Sequence, residues 1–251
     1  KAQSAFVERR PSLHVPSAAS NRTKCTCISL KGRKYYVDKW DTIIDQHTGT
    51  ENKRTLEKDS NMETVNFVNM ADGTKEEYQL LDRHEKDYVS RLPERIIKAL
   101  VRQGEDSIGG YKITRLEHAL QSATRARRDG RTDEYIVAAL LHDIGDELAP
   151  FSHSEMAAAI LRPYVSAQIY WIVKHHGLFQ MVYYAHHFGG DRNARDKLKD
   201  HRWYQDAVEF CERYDQNCFD PNYDTEPLVS FEPLIHKVLG NVPAFTREEL
   251  V

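Results

Sequence analysis

No apolar run in the sequence approaches the ~20 residues that a membrane-spanning helix requires, so no membrane partner is expected. Cysteine is scarce. Cys25, Cys27, Cys211 and Cys218 are too few and too unevenly spaced for a disulfide scaffold. Cys25 and Cys27 form one CxC pair, and no second pair completes a zinc site. Reduced thiols in a cytoplasmic compartment are the expectation. An excess of positive charge is also missing: 35 Lys and Arg stand against 38 Asp and Glu, a net charge of −3. A nucleic-acid partner is therefore not expected. Strand-like alternation is rare, and there are no internal repeats or low-complexity tracts. Walker, Rossmann and Ser-His-Asp signatures are absent, and Ser154 and Cys211 lack the context of a nucleophile.

What is there is 251 residues, 40% of them hydrophobic, enough for one domain with a sizeable core. Histidine is unusually frequent: there are twelve, and eight fall between His118 and His201.

Three regions differ in composition. In residues 1–34, eight basic side chains face one acid, Glu8, with serines between them. An organelle transit peptide can have this composition, but a basic tail without a packed core is the expectation. Lys1 rather than Met opens the chain, and residues before it are expected. Residues 35–75 are polar and weakly periodic. Tyr35-Tyr36-Val37 reads as a short strand and 45–61 as a loop. Residues 76–251 read as helical, with apolar spacing through Leu80, Leu81, Tyr88, Leu92, Ile96, Ile97 and Leu100. Pro93 marks a new helix start. Five further helical segments follow, with Thr132 and Ser152 as N-caps. The fold class is all-α, a bundle of at least five core helices with a less regular N-terminal extension.

The chemistry lies in short patterns within those helices. AALLHDIGD places His142 and Asp143 at the end of an apolar segment. A carboxylate there is costly to bury unless something neutralises it, and a metal ion does. His118 lies on the preceding helix, in RLEHALQSA. His153 begins the next one, and His175-His176 follow in IVKHHGLF. Asp215 lies in the last strong helix, in FCERYDQN. Imidazole with carboxylate suits iron, manganese or zinc. A mononuclear site needs about four protein ligands, and this ordered set offers more. Two ions bridged by the Asp143 carboxylate would use them all.

This order of residues resembles the HD-domain superfamily of metal-dependent phosphohydrolases and oxygenases, from about Ile113 to Phe219. Its HDxG element matches His142, Asp143 and Gly145. LEHALQSA and LLHDIGD resemble the branch of mixed-valent diiron oxygenases, which includes myo-inositol oxygenase and bacterial phosphonate-cleaving enzymes. The resemblance implies two iron ions in an Fe(II)/Fe(III) state, with O2 as co-substrate. One iron would take His118, His142, Asp143 and Asp215; the other would take Asp143, His153 and His176. Asp143, His153 and His176 would then be the catalytic group. His176 is preferred to His175 because Ile169, Ile172, Val173 and His176 share one helical face, as around the family's fourth histidine. His175 would then stand behind the ligands or face solvent.

Departures from the family bear on the substrate. Many HD phosphohydrolases, and the inositol enzymes, have Lys where this chain has Asp146. An acid there repels a phosphate oxygen by about 1 kcal/mol at ~4 Å in a water-like dielectric. Gln180 and Glu212 occupy positions that are basic in the phosphonate enzymes, and the family's Tyr/Glu pair before the first histidine is unmatched. A small hydroxylated substrate is expected, with a cationic amine that pairs with Asp146 or Glu212. The aromatic, histidine-rich stretch MVYYAHHFGGDRNARD adds His186, His187 and Arg192 as substrate candidates, read equally as a surface loop. The leading function is an oxygenase that abstracts hydrogen beside a hydroxyl. The alternative is a dinuclear phosphohydrolase, with a metal-stabilised binding protein third.

Overall fold

The computed structural model describes residues 63–241, apart from Asp106 and Ile108, together with three short N-terminal strands. The chain divides into two compact units, 1–66 and 67–251. In the first unit, β1 (Thr26–Leu30), β2 (Arg33–Val37) and β3 (Ile43–Ile44) form an antiparallel sheet in the order β1-β2-β3. Thr26 pairs with Val37, and Tyr36 with Ile44. The sequence marks only Tyr35–Val37 as a strand. Pairing rather than pattern defines its two neighbours. Of the segment read as a basic tail (1–34), residues 26–30 and 33–34 instead belong to β1 and β2; residues 1–25, and the segment read as a loop (45–61), lie outside the described residues.

The second unit begins at Phe67, upstream of the expected boundary near residue 75. Phe67 packs on Tyr78 with ring centroids 5.5 Å apart, and Thr74 caps the helix that follows. Eight α-helices are described: α1 (Lys75–Ser90), α2 (Leu92–Glu105), α3 (Arg115–Arg128), α4 (Asp133–Leu141), α5 (His153–Leu161), α6 (Ala167–Tyr184), α7 (Tyr204–Phe210) and α8 (Glu232–Leu239). The all-α reading of the core holds. Pro93 is the second residue of α2, where its missing N–H costs nothing. None of the described helices is long and apolar enough to cross a membrane.

Local chemistry fixes where α3, α4 and α6 begin. Thr114 caps α3 through a reciprocal pair: its hydroxyl accepts from the Glu117 N–H at 3.1 Å, and the Glu117 carboxylate accepts from the Thr114 N–H at 2.7 Å. The Thr132 hydroxyl accepts from the Tyr135 N–H, and that of Ser166 from the Ile169 N–H. Ser152 precedes α5 but makes no side-chain cap, because its backbone (φ −144°, ψ 29°) departs from the extended form a cap adopts. Helix α4 is the centre of the bundle. Ile136 to Leu141 are buried without a break, and α3, α6 and α8 surround it. Each of its leucines contributes about 1.5–3 kcal/mol by burial. A helix apolar on every side must end inside the core, so α4 delivers its C-terminal residues to the interior.

Candidate metal centre

Beyond Leu141 the chain leaves α4 in a tight turn, and this turn organises the centre. His142 is fully buried, and Asp143 nearly so. The Asp146 N–H donates back to the Asp143 carbonyl at 3.1 Å. Gly145 lies where this turn touches the start of α5. A Cβ there would stand 2.7 Å from the His153 carbonyl oxygen and 2.8 Å from its Cα, so only glycine allows the approach. A similar restriction appears on α6, where a Cβ at Gly177 would meet the Ser154 hydroxyl at 2.8 Å. These two glycines let α4, α5 and α6 bring His142, His153 and His176 together.

Asp215 comes from an unexpected element. Helix α7 ends at Phe210, and Cys211–Asp215 continue it as a single wider π-helical turn. Such turns concentrate at functional sites because they displace one side chain from the regular spiral. The turn is pinned by Tyr214, whose hydroxyl donates to Asp129 at 2.8 Å and accepts from Arg131 at 2.8 Å. Behind the centre, Gln103 of α2 donates to the Asp143 carbonyl at 2.8 Å.

The resulting cluster has two halves. In the first, His118 Nε2 lies 3.1 Å from His142 Nε2, 3.4 Å from Asp143 Oδ2 and 3.5 Å from Asp215 Oδ1. His142 Nε2 lies 3.5 Å from Asp143 Oδ2 and 3.7 Å from Asp215 Oδ1. In the second half, Asp143 Oδ1 lies 3.1 Å from His176 Nε2 and 3.4 Å from His153 Nε2. The two oxygens of Asp143 therefore face different donor sets.

The donor chemistry fits cations. The outer ring nitrogens of His118, His142 and His176 face the carbonyls of Cys218, Ala139 and Val173 at 3.0, 2.8 and 2.6 Å. A carbonyl only accepts, so each Nδ1 carries the proton and each Nε2 presents a lone pair. Two such lone pairs 3.1 Å apart repel unless a cation lies between them. Donors ~2.1 Å from one ion at tetrahedral or octahedral angles are roughly 3.0–3.4 Å apart, close to the spacings here. Without an ion the protein compensates with protons. Burial disfavours charge on His118, but the Asp143 and Asp215 carboxylates outweigh it and raise the imidazole to about 9. Burial likewise opposes ionisation of Asp143 and Asp215, yet the surrounding histidines hold both below the usual carboxylate range.

The six residues His118, His142, Asp143, His153, His176 and Asp215 thus converge, as the spacing anticipates. His175 points elsewhere: its Nδ1 faces the Trp171 carbonyl at 2.8 Å and its ring packs on Trp171. Five of the six are buried. The His153 side chain keeps 26% of its surface exposed, so the three-donor half is the more accessible one. The Phe219 ring stacks on His118, and Tyr111 stacks on Phe219, closing the four-donor half.

The candidates for substrate contact divide differently. Gln180 lies one turn beyond His176, and its Oε1 is enclosed with no partner among the described residues. Glu212, His186, His187 and Arg192 are exposed, and the two histidines stack on each other. Asp146 is not free for a substrate amine, because the Arg115 guanidinium is in direct contact with its carboxylate. Burial and the Asp143 charge push Asp146 upward, and Arg115 and His153 oppose this. Arg115 thus offsets the repulsion expected from an acid at this position. The sequence does carry a signal for it: Arg115 stands three residues before His118, on the same helical face. Tyr184 is half-exposed and within electrostatic reach of the centre. Burial, followed by the charges of Tyr111, Asp215 and Asp143, raises its hydroxyl.

Residues 115–208 match the family model of the HD domain. The chain is also similar to the [1-hydroxy-2-(trimethylamino)ethyl]phosphonate dioxygenase (glycine-betaine-forming) of Leisingera caerulea. The two are 37% identical over 86 residues, 30% of this chain and 44% of that enzyme, so the likeness spans less than half of the relative's length. Asp215 comes from the turn just beyond the residues that match the HD-domain model.

Proposed function

We propose that this protein is a dinuclear iron oxygenase acting on a small hydroxylated substrate. The observation that carries this reading is the division of the Asp143 carboxylate, with Oδ2 turned to His118 and His142 and Oδ1 to His176 and His153. His118, His142, Asp143 and Asp215 would hold one ion; Asp143, His153 and His176 would hold the other. Similarity to a dioxygenase favours iron over zinc or manganese. A mixed-valent iron pair supplies the redox chemistry that activates O2.

The chain's own residues do the rest. The half with three protein donors leaves positions for a substrate hydroxyl, and it is the half whose histidine reaches the surface. The buried imidazoles and the Tyr111–Phe219 stack exclude water from the other half. Gln180 offers an unpaired acceptor beside His176. Arg115 restores a cation near the position that is acidic in this chain and Lys in many relatives. The reading takes the reaction class from the relative. Its substrate, which carries a hydroxyl, a phosphonate and a trimethylammonium group by name, defines the range to be searched.

Iron-loaded protein, partly reduced without air, is expected to give a coupled mixed-valent EPR signal. An oxygen-electrode screen of polyols, hydroxy acids, amino alcohols and hydroxyphosphonates is expected to reveal O2 uptake with one class. A phosphatase panel run alongside should stay silent. Brisk phosphate release without O2 uptake would replace the oxygenase with a dinuclear phosphohydrolase.

A further inference from the structure

One of the four clustered imidazoles is held differently from the rest. His118, His142 and His176 each face a backbone carbonyl within 3.0 Å through the outer nitrogen. The outer nitrogen of His153 lies 3.5 Å from the Pro150 carbonyl and 3.4 Å from Asp146 Oδ1. The outer nitrogen of His153 thus has a carboxylate beside it as well as a carbonyl, both at the limit of hydrogen-bond distance. That carboxylate is in turn held by Arg115, whose Nη2 touches Asp146 while Nη1 lies 3.5 Å from Asp143 Oδ2. One guanidinium thus spans the carboxylate shared by both halves and the carboxylate behind His153. A planar fork can reach two carboxylates at once, which an ammonium group does less well. Both side chains are largely enclosed, Arg115 at 15% exposure and Asp146 at 8%, so the arrangement is set by packing rather than by solvent.

The local fold explains why position 146 serves this purpose. Asp146 closes the turn that begins at Asp143, and Gly145 lies against the backbone of His153. A side chain at 146 has to emerge beside the His153 ring. A carboxylate behind a ligating imidazole fixes the tautomer and the ring orientation and makes the other nitrogen a better donor.

We propose that Asp146 and Arg115 are a positioning pair for the three-donor half of the centre, with Asp146 orienting His153 from behind and Arg115 fastening Asp146 to the bridging Asp143. The proposal rests on the dinuclear reading above. On this view the acid at 146 tunes a metal ligand instead of binding substrate.

Metal titration provides the test, with a readout independent of turnover. Mn(II) is added to the metal-free protein and followed by calorimetry and EPR. Wild type is expected to take two ions and to give the signal of a coupled pair. Asp146→Asn is expected to weaken one of the two sites by about 10–100-fold, the range seen when the partner behind a ligand is removed. The other site should be unchanged, so that the spectrum becomes that of a single uncoupled ion. His153→Ala identifies which half has been lost. Arg115→Lys keeps the charge but loses the fork, and is expected to weaken the same site by a smaller factor. Circular dichroism of each metal-free variant checks that the helices are intact. Should Asp146→Asn not fold, Arg115→Lys carries the test alone. Two unchanged sites in the folded variants, or equal weakening of both sites, would overturn the pair's role and leave the dinuclear centre standing. Wild type that takes fewer than two ions would overturn the dinuclear reading and the pair's role with it.

Discussion

Asp143 is the residue on which the centre depends most directly, because its two oxygens face different donor sets. Replacing it with alanine removes a donor from both sets and leaves four lone-pair-bearing imidazoles with less to neutralise an ion. Asp143→Ala is expected to lose both metals, measured as ions per chain after reconstitution. Retention of two would show that another group bridges them. The histidine pair offers a sharper contrast, since adjacent helical residues point about 100° apart. His176 faces Asp143, while His175 packs on Trp171. His176→Ala should lose metal from the three-donor half, and His175→Ala should keep two ions per chain. The opposite result would reverse the assignment of the pair.

At the scale of elements, the centre is assembled mostly from ends: the first turn of α3, the C-terminus of α4, the N-terminus of α5 and a π-turn after α7, with the middle of α6 as the exception. Its precision therefore depends on where helices start and stop. The reciprocal cap at Thr114 and Glu117 sets the first turn of α3, four residues before His118. Thr114→Ala should destabilise the fold by about 1 kcal/mol, read as a lower urea midpoint with an unchanged slope. A midpoint equal to wild type would mean that tertiary packing alone fixes the start of α3. The loop after the π-turn is fastened to the same helix. Gln121 donates to the Asp220 carbonyl at 2.7 Å, and the Cys218 carbonyl faces His118. Helix α3 thereby carries His118 itself and steadies the segment that follows Asp215.

For the molecule as a whole, the buried Asp143 and Asp215 are a liability that bound metal relieves. Ions that bind only the folded state stabilise it by about 2.7 kcal/mol at a concentration 100 times the dissociation constant. Chelation is therefore expected to lower the thermal midpoint, and readdition of Fe(II) without air to restore it. A midpoint indifferent to chelator would point to a cluster satisfied by protons alone. Such a state is physically available, since Asp143 and Asp215 raise His118 to about 9.

The sequence by itself determined the helical class and the order of histidines and aspartates along the chain, because helical periodicity and the HDxG spacing are local properties, and it pointed to His176 rather than His175 as the one facing the cluster. Thr132 reads correctly as a cap for the same reason, whereas Ser152, which reads as one too, makes no side-chain cap, since its backbone angles follow from the packing of the turn before α5. Helix α8 gave no signal strong enough to stand out, although Ile235, Val238 and Leu239 bury against the core. What tertiary structure decided was partnership between distant positions. Gln103 lies 40 residues from the Asp143 carbonyl it holds. Arg115 meets an acid 31 positions away, which turns a charge that looked available to substrate into one already paired. Periodicity places a residue on a face of its own helix. Only the packing of one helix against another determines which charge that face meets.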